Sequence, residues 1–333
     1  MQRHVAFAAC ALLWMCSAGA AAAERVYVLT QDGATLSEIP ADDASAPAKP
    51  VTVKLAKAPG TFALAPDAPC AYVTHSELGQ ISVVDLDDMK VVRTIDVPGS
   101  PFGIAVAKGG RLFVGDWNES RVTVVDFSAT DTPRLTRVNV GPEPGHVLLA
   151  PDEAMLYVAN REGDSVSVIR TKDLSLAATI PVGHAPFAMA VSPDGRRLYV
   201  GNVQAGTVTV IDTESLAAVE TWETGAMPYG AAVTPEGGRV LVTHQTSDTL
   251  GVFDRDGTAV ATIDIGSYPE GVAIGRSGTR AYVANWFSDD VSVIDLESMT
   301  EIRRIESGRG PRTVLVGTAS EKSTAAGEAD GRE

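Results

Sequence analysis

Four histidines lie beyond the amino-terminal segment, His75, His146, His184 and His244, and they are the side chains here best suited to metal ligation or proton transfer. Their spacing is poor for a compact metal centre, since the chain contains no H-x-H or C-x-x-C pair. Nucleophile-elbow, phosphate-loop and zinc-protease spacings are also absent. What stands out instead is a set of large or charged side chains recurring at fixed offsets. Phe102, Phe187, Tyr229, Glu270 and Arg312 each directly follow a proline. Trp117, Arg161 and Trp286 each follow a short apolar segment that ends in Asp or Asn. Such residues can stack on a ligand and fix its charge, provided that the fold gathers them.

The prolines themselves reveal the elements that do the gathering. Pro59, Pro101, Pro144, Pro186, Pro228, Pro269 and Pro311 recur at intervals of 42, 43, 42, 42, 41 and 42 residues, and a small residue, usually Gly, stands two or three positions before each. A fixed period of this length is the mark of a repeat architecture. One period, from Gly183 to Thr224, contains an apolar segment Ala188 to Val191, a Ser-Pro-Asp-Gly turn at 192–195, and a second segment Arg197 to Val200. A polar turn, an alternating Thr207 to Ile211 segment, another turn and a fourth segment, Ala217 to Thr221, complete it. Four short strands per period without helical periodicity predict one four-stranded antiparallel blade per repeat.

A lone blade cannot bury both faces, so the blades must stack in a closed ring. Residues 26–55 supply three strands and the last repeat supplies one, Arg312 to Val316. The expected fold is therefore all-β, a seven-bladed β-propeller whose ring is closed by the N-terminal strands pairing with the C-terminal strand.

The second strand of each period reads Tyr72-Val73-Thr74-His75, Phe113-Val114-Gly115-Asp116, Tyr157-Val158-Ala159-Asn160, Tyr199-Val200-Gly201-Asn202, Leu241-Val242-Thr243-His244 and Tyr282-Val283-Ala284-Asn285. This series resembles the YVTN family of bacterial and archaeal β-propellers across nearly all of the chain after its leader. The Gly-His and Trp-Asp pairs of WD40 blades are missing. The resemblance implies architecture above all. Propellers of this kind include periplasmic and surface-layer proteins, partners of quinoprotein oxidation systems, a nucleic-acid-binding example and, more distantly, lactonases and haem-binding propellers.

The remaining features bound the setting. Arg3 and His4, an apolar run from Val5 to Met15 and Ala21-Ala22-Ala23 form a secretory signal peptide over 1–23, with cleavage near Ala23. The propeller is expected over 24–317 and a disordered tail over 318–333. Of the three cysteines only Cys70 follows the leader, so no internal disulfide is expected; Cys70 reads as a small buried residue, or a crosslinking thiol if exposed. The formal charge is −15, one unit more negative once Arg3 is removed, which disfavours nucleic acid as a partner. A periplasmic or secreted, soluble monomer without membrane insertion is the expectation.

In such a ring the start of strand one and the end of strand two of every blade converge at one channel mouth, where ligands usually sit. This places Phe102, Trp117, His146, Arg161, Phe187, Tyr229, His244, Glu270, Trp286 and Arg312 at a common ligand-binding rim. His75 and His184 join His146 and His244 as weak metal candidates. Glu270 and Arg312, on adjacent blades, read either as an ion pair or with Arg312 free to clamp a carboxylate. The leading expectation is a binding scaffold for a small molecule or a periplasmic protein, without a catalytic residue or cofactor; the resemblance adds a supporting role beside a quinoprotein-type redox system. The alternatives are a propeller lactonase or lyase, or a metal- or haem-binding propeller using the rim histidines.

Overall fold

A computed structural model describes residues 24–40, 49–127 and 132–318. The signal-peptide segment and residues 319–333 of the tail lie outside the described residues. Seven four-stranded antiparallel sheets form the molecule. Each of six blades is a consecutive run of four strands, beginning at Pro59, Pro101, Pro144, Pro186, Pro228 and Pro269. In blade 4 the strands are Pro186–Val191, Arg197–Asn202, Thr207–Asp212 and Ala217–Glu223, each slightly longer than the sequence segments that mark it.

The seventh blade has the order Pro311–Thr318, Glu24–Thr30, Thr35–Ile39 and Val51–Lys54. Val26 pairs with Val316 and Val28 with Val314, so the first strand of the chain is held by the last. The final strand runs to Thr318, one residue past the expected boundary. Glu24 extends the clasp to blade 6 by accepting from the Arg276 amide at 2.7 Å and the Tyr282 hydroxyl at 3.2 Å.

Burial explains the sequence pattern within each blade. Blades lie face to face, so the two middle strands are covered on both sides: Thr207–Asp212 and Asp290–Asp295 are buried at all four central positions. The alternating polar residues of the third strand are therefore inside; Ser82, Ser167, Thr209 and Ser292 are all buried. Outer strands such as Ala217–Glu223 face water. Inner strands converge on the axis and carry small residues. A Cβ on Gly103 would stand 2.6 Å from the Gly145 carbonyl of the next blade.

The turns follow the expected chemistry. Asp212 accepts from the Ser215 amide at 2.7 Å, and Asp295 from that of Ser298 at 2.7 Å. Asp85 and Asp254 close the turns after the third strands of blades 1 and 5 in the same way.

Candidate binding site at the channel mouth

The mouth is built from two positions per blade. The residue before the repeat proline adopts a left-handed backbone, with φ between +49° and +58° at Ala58, Glu143, Ala185, Met227 and Tyr268. This conformation is costly for a residue with a side chain. It turns the carbonyl towards the residue just beyond strand two, whose amide donates to it: Arg161 to Glu143 at 2.9 Å, Val203 to Ala185 at 2.9 Å, Gln245 to Met227 at 3.1 Å and Trp286 to Tyr268 at 3.0 Å; Trp117 makes the same bond to Ser100 at 2.8 Å without a left-handed backbone there. The side chain after the proline and the one beyond strand two are thereby fixed side by side.

The last residue of strand two is a different matter. Asn202 donates through Nδ2 to Thr207 Oγ1 at 3.0 Å and Thr209 Oγ1 at 2.9 Å, and Asn160 reaches Ser165 and Ser167 in the same way. These partners stand on the third strand, so the Asn secures its own blade from within. Its side chain packs on the entering loop, where a Cβ on Gly183 would meet Asn202 at 2.6 Å; this close approach explains the small residue ahead of each proline.

His75 and His244 do the work of that Asn. His75 is fully buried, with Nε2 2.9 Å from Ser82 Oγ and Nδ1 3.1 Å from the Lys57 carbonyl. His244 sits between Thr224 Oγ1 at 2.8 Å and Thr249 Oγ1 at 3.0 Å, and its ring takes the space left by Gly251 on the third strand. Asp116 holds the Ser100 amide at 2.9 Å and Arg121 Nη2 at 2.7 Å. These three side chains face into their blades and away from the mouth. His184 is exposed and bonded to Asp164 at 2.9 Å. The four histidines are therefore not brought together, and among the described residues no group of three or more His, Cys, Asp or Glu side chains could hold a metal ion.

The aromatic and charged residues do converge. Phe102 packs on Trp117 with ring centres 4.7 Å apart, and Phe187 on Tyr229 at 4.5 Å; Phe102 and Phe187 are 6.1 Å apart. Arg312 crosses the centre, its guanidinium carbon 5.0 Å from the Phe102 ring centre, 5.8 Å from Trp286 and 5.9 Å from Tyr229. Arg312 Nη2 donates to Tyr229 Oη at 2.8 Å and Nη1 to Gln31 Oε1. Its Nε lies 3.4 Å from Glu270 Oε2, so the expected ion pair is present, with Glu270 buried and Arg312 partly exposed. Arg161, also on the rim, pairs instead with Glu162 at 2.9 Å and Glu143 at 3.5 Å.

Beneath this cover lies a cavity of about 350 Å³. Phe102, His146, Phe187, Tyr229, Glu270 and Arg312 line it, together with an apolar shaft that includes Leu148, Met189 and Leu315. Trp117 and Trp286 brace the cover from outside. Glu270 Oε1 accepts from Gln245 Nε2 at 3.1 Å, whereas Oε2 is buried without a hydrogen-bond partner, because the nearby Nε–H of Arg312 is not aligned with it. Burial raises the Glu270 carboxyl to about 7, against the opposing pull of Arg312 and Gln245. Burial likewise raises the Tyr229 phenol to about 12. His146 accepts the Met189 amide at Nδ1, 3.1 Å away, so its ring proton sits on Nε2; burial lowers its pKa to about 4, opposed by a backbone hydrogen bond with Phe187.

Gln31 and Gln245 escaped the sequence reading. Both occupy the repeat position of Trp117, Arg161 and Trp286, one place beyond strand two, and that alignment would have found them.

A family model, "Lactonase, 7-bladed beta-propeller", matches residues 137–217. Among curated proteins none matches the sequence. Similar solved structures include a functionally unknown protein from Desulfotomaculum acetoxidans DSM 771, 14% identical with a TM-score of 0.76, covering 89% of this chain and 99% of that one. Hydrazine synthase of Kuenenia stuttgartiensis is 20% identical with a TM-score of 0.70 over 77% of this chain and 89% of that one. The dihydro-heme d1 dehydrogenase NirN, in complex with DHE, is 16% identical with a TM-score of 0.67 over 87% and 74%. The likeness is one of fold: this chain is a seven-bladed β-propeller. The family match covers blade 3 and most of blade 4, including His146 and Phe187 of the cavity.

Proposed function

We propose that this protein is an exported, non-enzymatic propeller that binds a small molecule in its channel mouth. The observation that carries the reading is the cavity itself. It has a size suited to a small organic ligand, mostly apolar walls, an aromatic cover and one buried carboxylate oxygen awaiting a partner. A leader peptide supports export to the periplasm or beyond. The repeat tetrapeptides, similar to those of YVTN propellers, favour a role beside a periplasmic redox enzyme. In this reading no metal or haem is required, since His146 has committed Nδ1 to a backbone amide and would have to exchange its tautomer to ligate through Nε2.

Ligand-observed NMR against a library of charged and uncharged fragments tests it. Several fragments should bind, and all should be lost in Ala231→Phe, which fills the cavity wall. A folded wild-type protein that binds none of them defeats the proposal.

A second reading, a lactonase or lyase, draws on the partial family match and on Glu270, whose near-neutral carboxyl suits proton transfer. It requires turnover of a lactone or ester substrate that is abolished in His146→Ala and Glu270→Gln while the fold persists.

A further inference from the structure

Resting on the ligand-binding reading above, the charges already in place restrict the class of molecule that fits. The aromatic surround of Phe102, Tyr229 and Trp286 is the kind that recognises a cation, but the cation inside it is the protein's own Arg312. An ammonium ligand would be placed against that guanidinium. Arg312 in turn has one proton of Nη1 and one of Nη2 committed to Gln31 and Tyr229 and its Nε beside Glu270, so every edge it could offer a carboxylate is already partly taken. A carboxylate ligand would also meet Glu270 Oε2, which carries lone pairs and receives no donor. Glu270 and Arg312 compensate each other, and the rest of the wall is largely apolar. One buried acceptor of the cavity wall is unmet: Glu270 Oε2, on a residue nine-tenths or more covered, lacks an O–H or N–H.

We propose that the channel mouth selects an uncharged, mainly apolar molecule carrying a hydroxyl or amide N–H, which it donates to Glu270 Oε2. The walls then cover the apolar body, and the donor gives orientation.

Four naphthalene probes of nearly equal size separate the possibilities: 2-naphthalenemethanol, its methyl ether, 2-naphthoate and 2-naphthylmethylammonium, titrated by calorimetry into the full mature chain at a pH of about 8.5, where Glu270 is ionised. The alcohol should bind about tenfold more tightly than the ether, which cannot donate, and than either ion; about tenfold is the value of one hydrogen bond to a charged acceptor. Glu270→Gln, nearly isosteric, should weaken the alcohol about tenfold and leave the ether unchanged. Equal binding of alcohol and ether overturns the proposal. So does tighter binding of the carboxylate or the ammonium, and in each of those cases the small-ligand reading survives, because the cavity is still used. Absence of binding by all four, together with a blank fragment library, overturns both.

Discussion

Glu270 is a carboxylic acid that the fold keeps in an unfavourable place, and its proton records the fact. Its carboxyl rises from 4.5 to about 7 on burial, so the folded chain holds this proton where the unfolded chain has released it. The stability it contributes is complete below pH 4.5 and is lost as the pH climbs through 7. Glu270→Gln, which cannot titrate, should therefore gain on the wild type across that window by up to about 3 kcal/mol. Urea unfolding of both proteins at pH 5 and pH 8 measures the change; parallel stabilities would show that Glu270 is ionised at no cost. The aromatic and charged composition of the mouth was legible residue by residue, because a repeat position that needed only one residue type would not vary from Gly to Phe to Glu to Arg. The commitment of Arg312 was not legible, because its partners come from blades 2, 5, 6 and 7, and no local pattern relates them.

At the scale of the strand, the end of strand two shows how one structural task accepts several residues. Asn bonds two side chains of its own third strand, five and seven positions on, and His75 and His244 each reproduce part of that pattern. From sequence, these histidines looked like departures aimed at a ligand. The hidden information was that the alternating Ser and Thr of strand three are inside, since stacked blades bury both faces of a middle strand. Strand order, turn chemistry and ring closure could be read because they depend on local periodicity. Burial of alternate polar residues depends on the neighbouring blade. Burial lowers the His244 pKa from 6.5 to about 4, so its stabilising contribution is complete above pH 6.5 and declines as the pH falls towards 4. His244→Asn should cost about 1–2 kcal/mol at pH 7 through lost packing against Phe253 and Gly251. At pH 5 the deficit should shrink or reverse. Denaturation midpoints at the two pH values decide, and a deficit that grows on acidification would contradict the assignment of a neutral, buried ring.

For the whole molecule, the ring has one seam. Blades 1 to 6 are each made from a continuous stretch of chain, whereas blade 7 needs both ends. Ending the chain after Gly310 removes Pro311–Thr318 and leaves the strand Glu24–Thr30 without its inner neighbour. Closure would be lost and the apolar faces of blades 6 and 7 exposed, so the truncated chain should unfold at much lower temperature and with a broad transition in place of a sharp one. Far-UV circular dichroism during heating tests this; an unchanged, sharp melt would mean that the seam contributes little.

The same final strand also bears Arg312, which bonds to Gln31 from the other end of the chain, 281 positions away. A ribosome making this protein thus emits one half of that contact near the start and the other near the finish. If the channel mouth binds as proposed, a chain released early, or clipped by a protease before Arg312, would lack the residue that organises the mouth, and ligand would distinguish such molecules from those that carry the final strand.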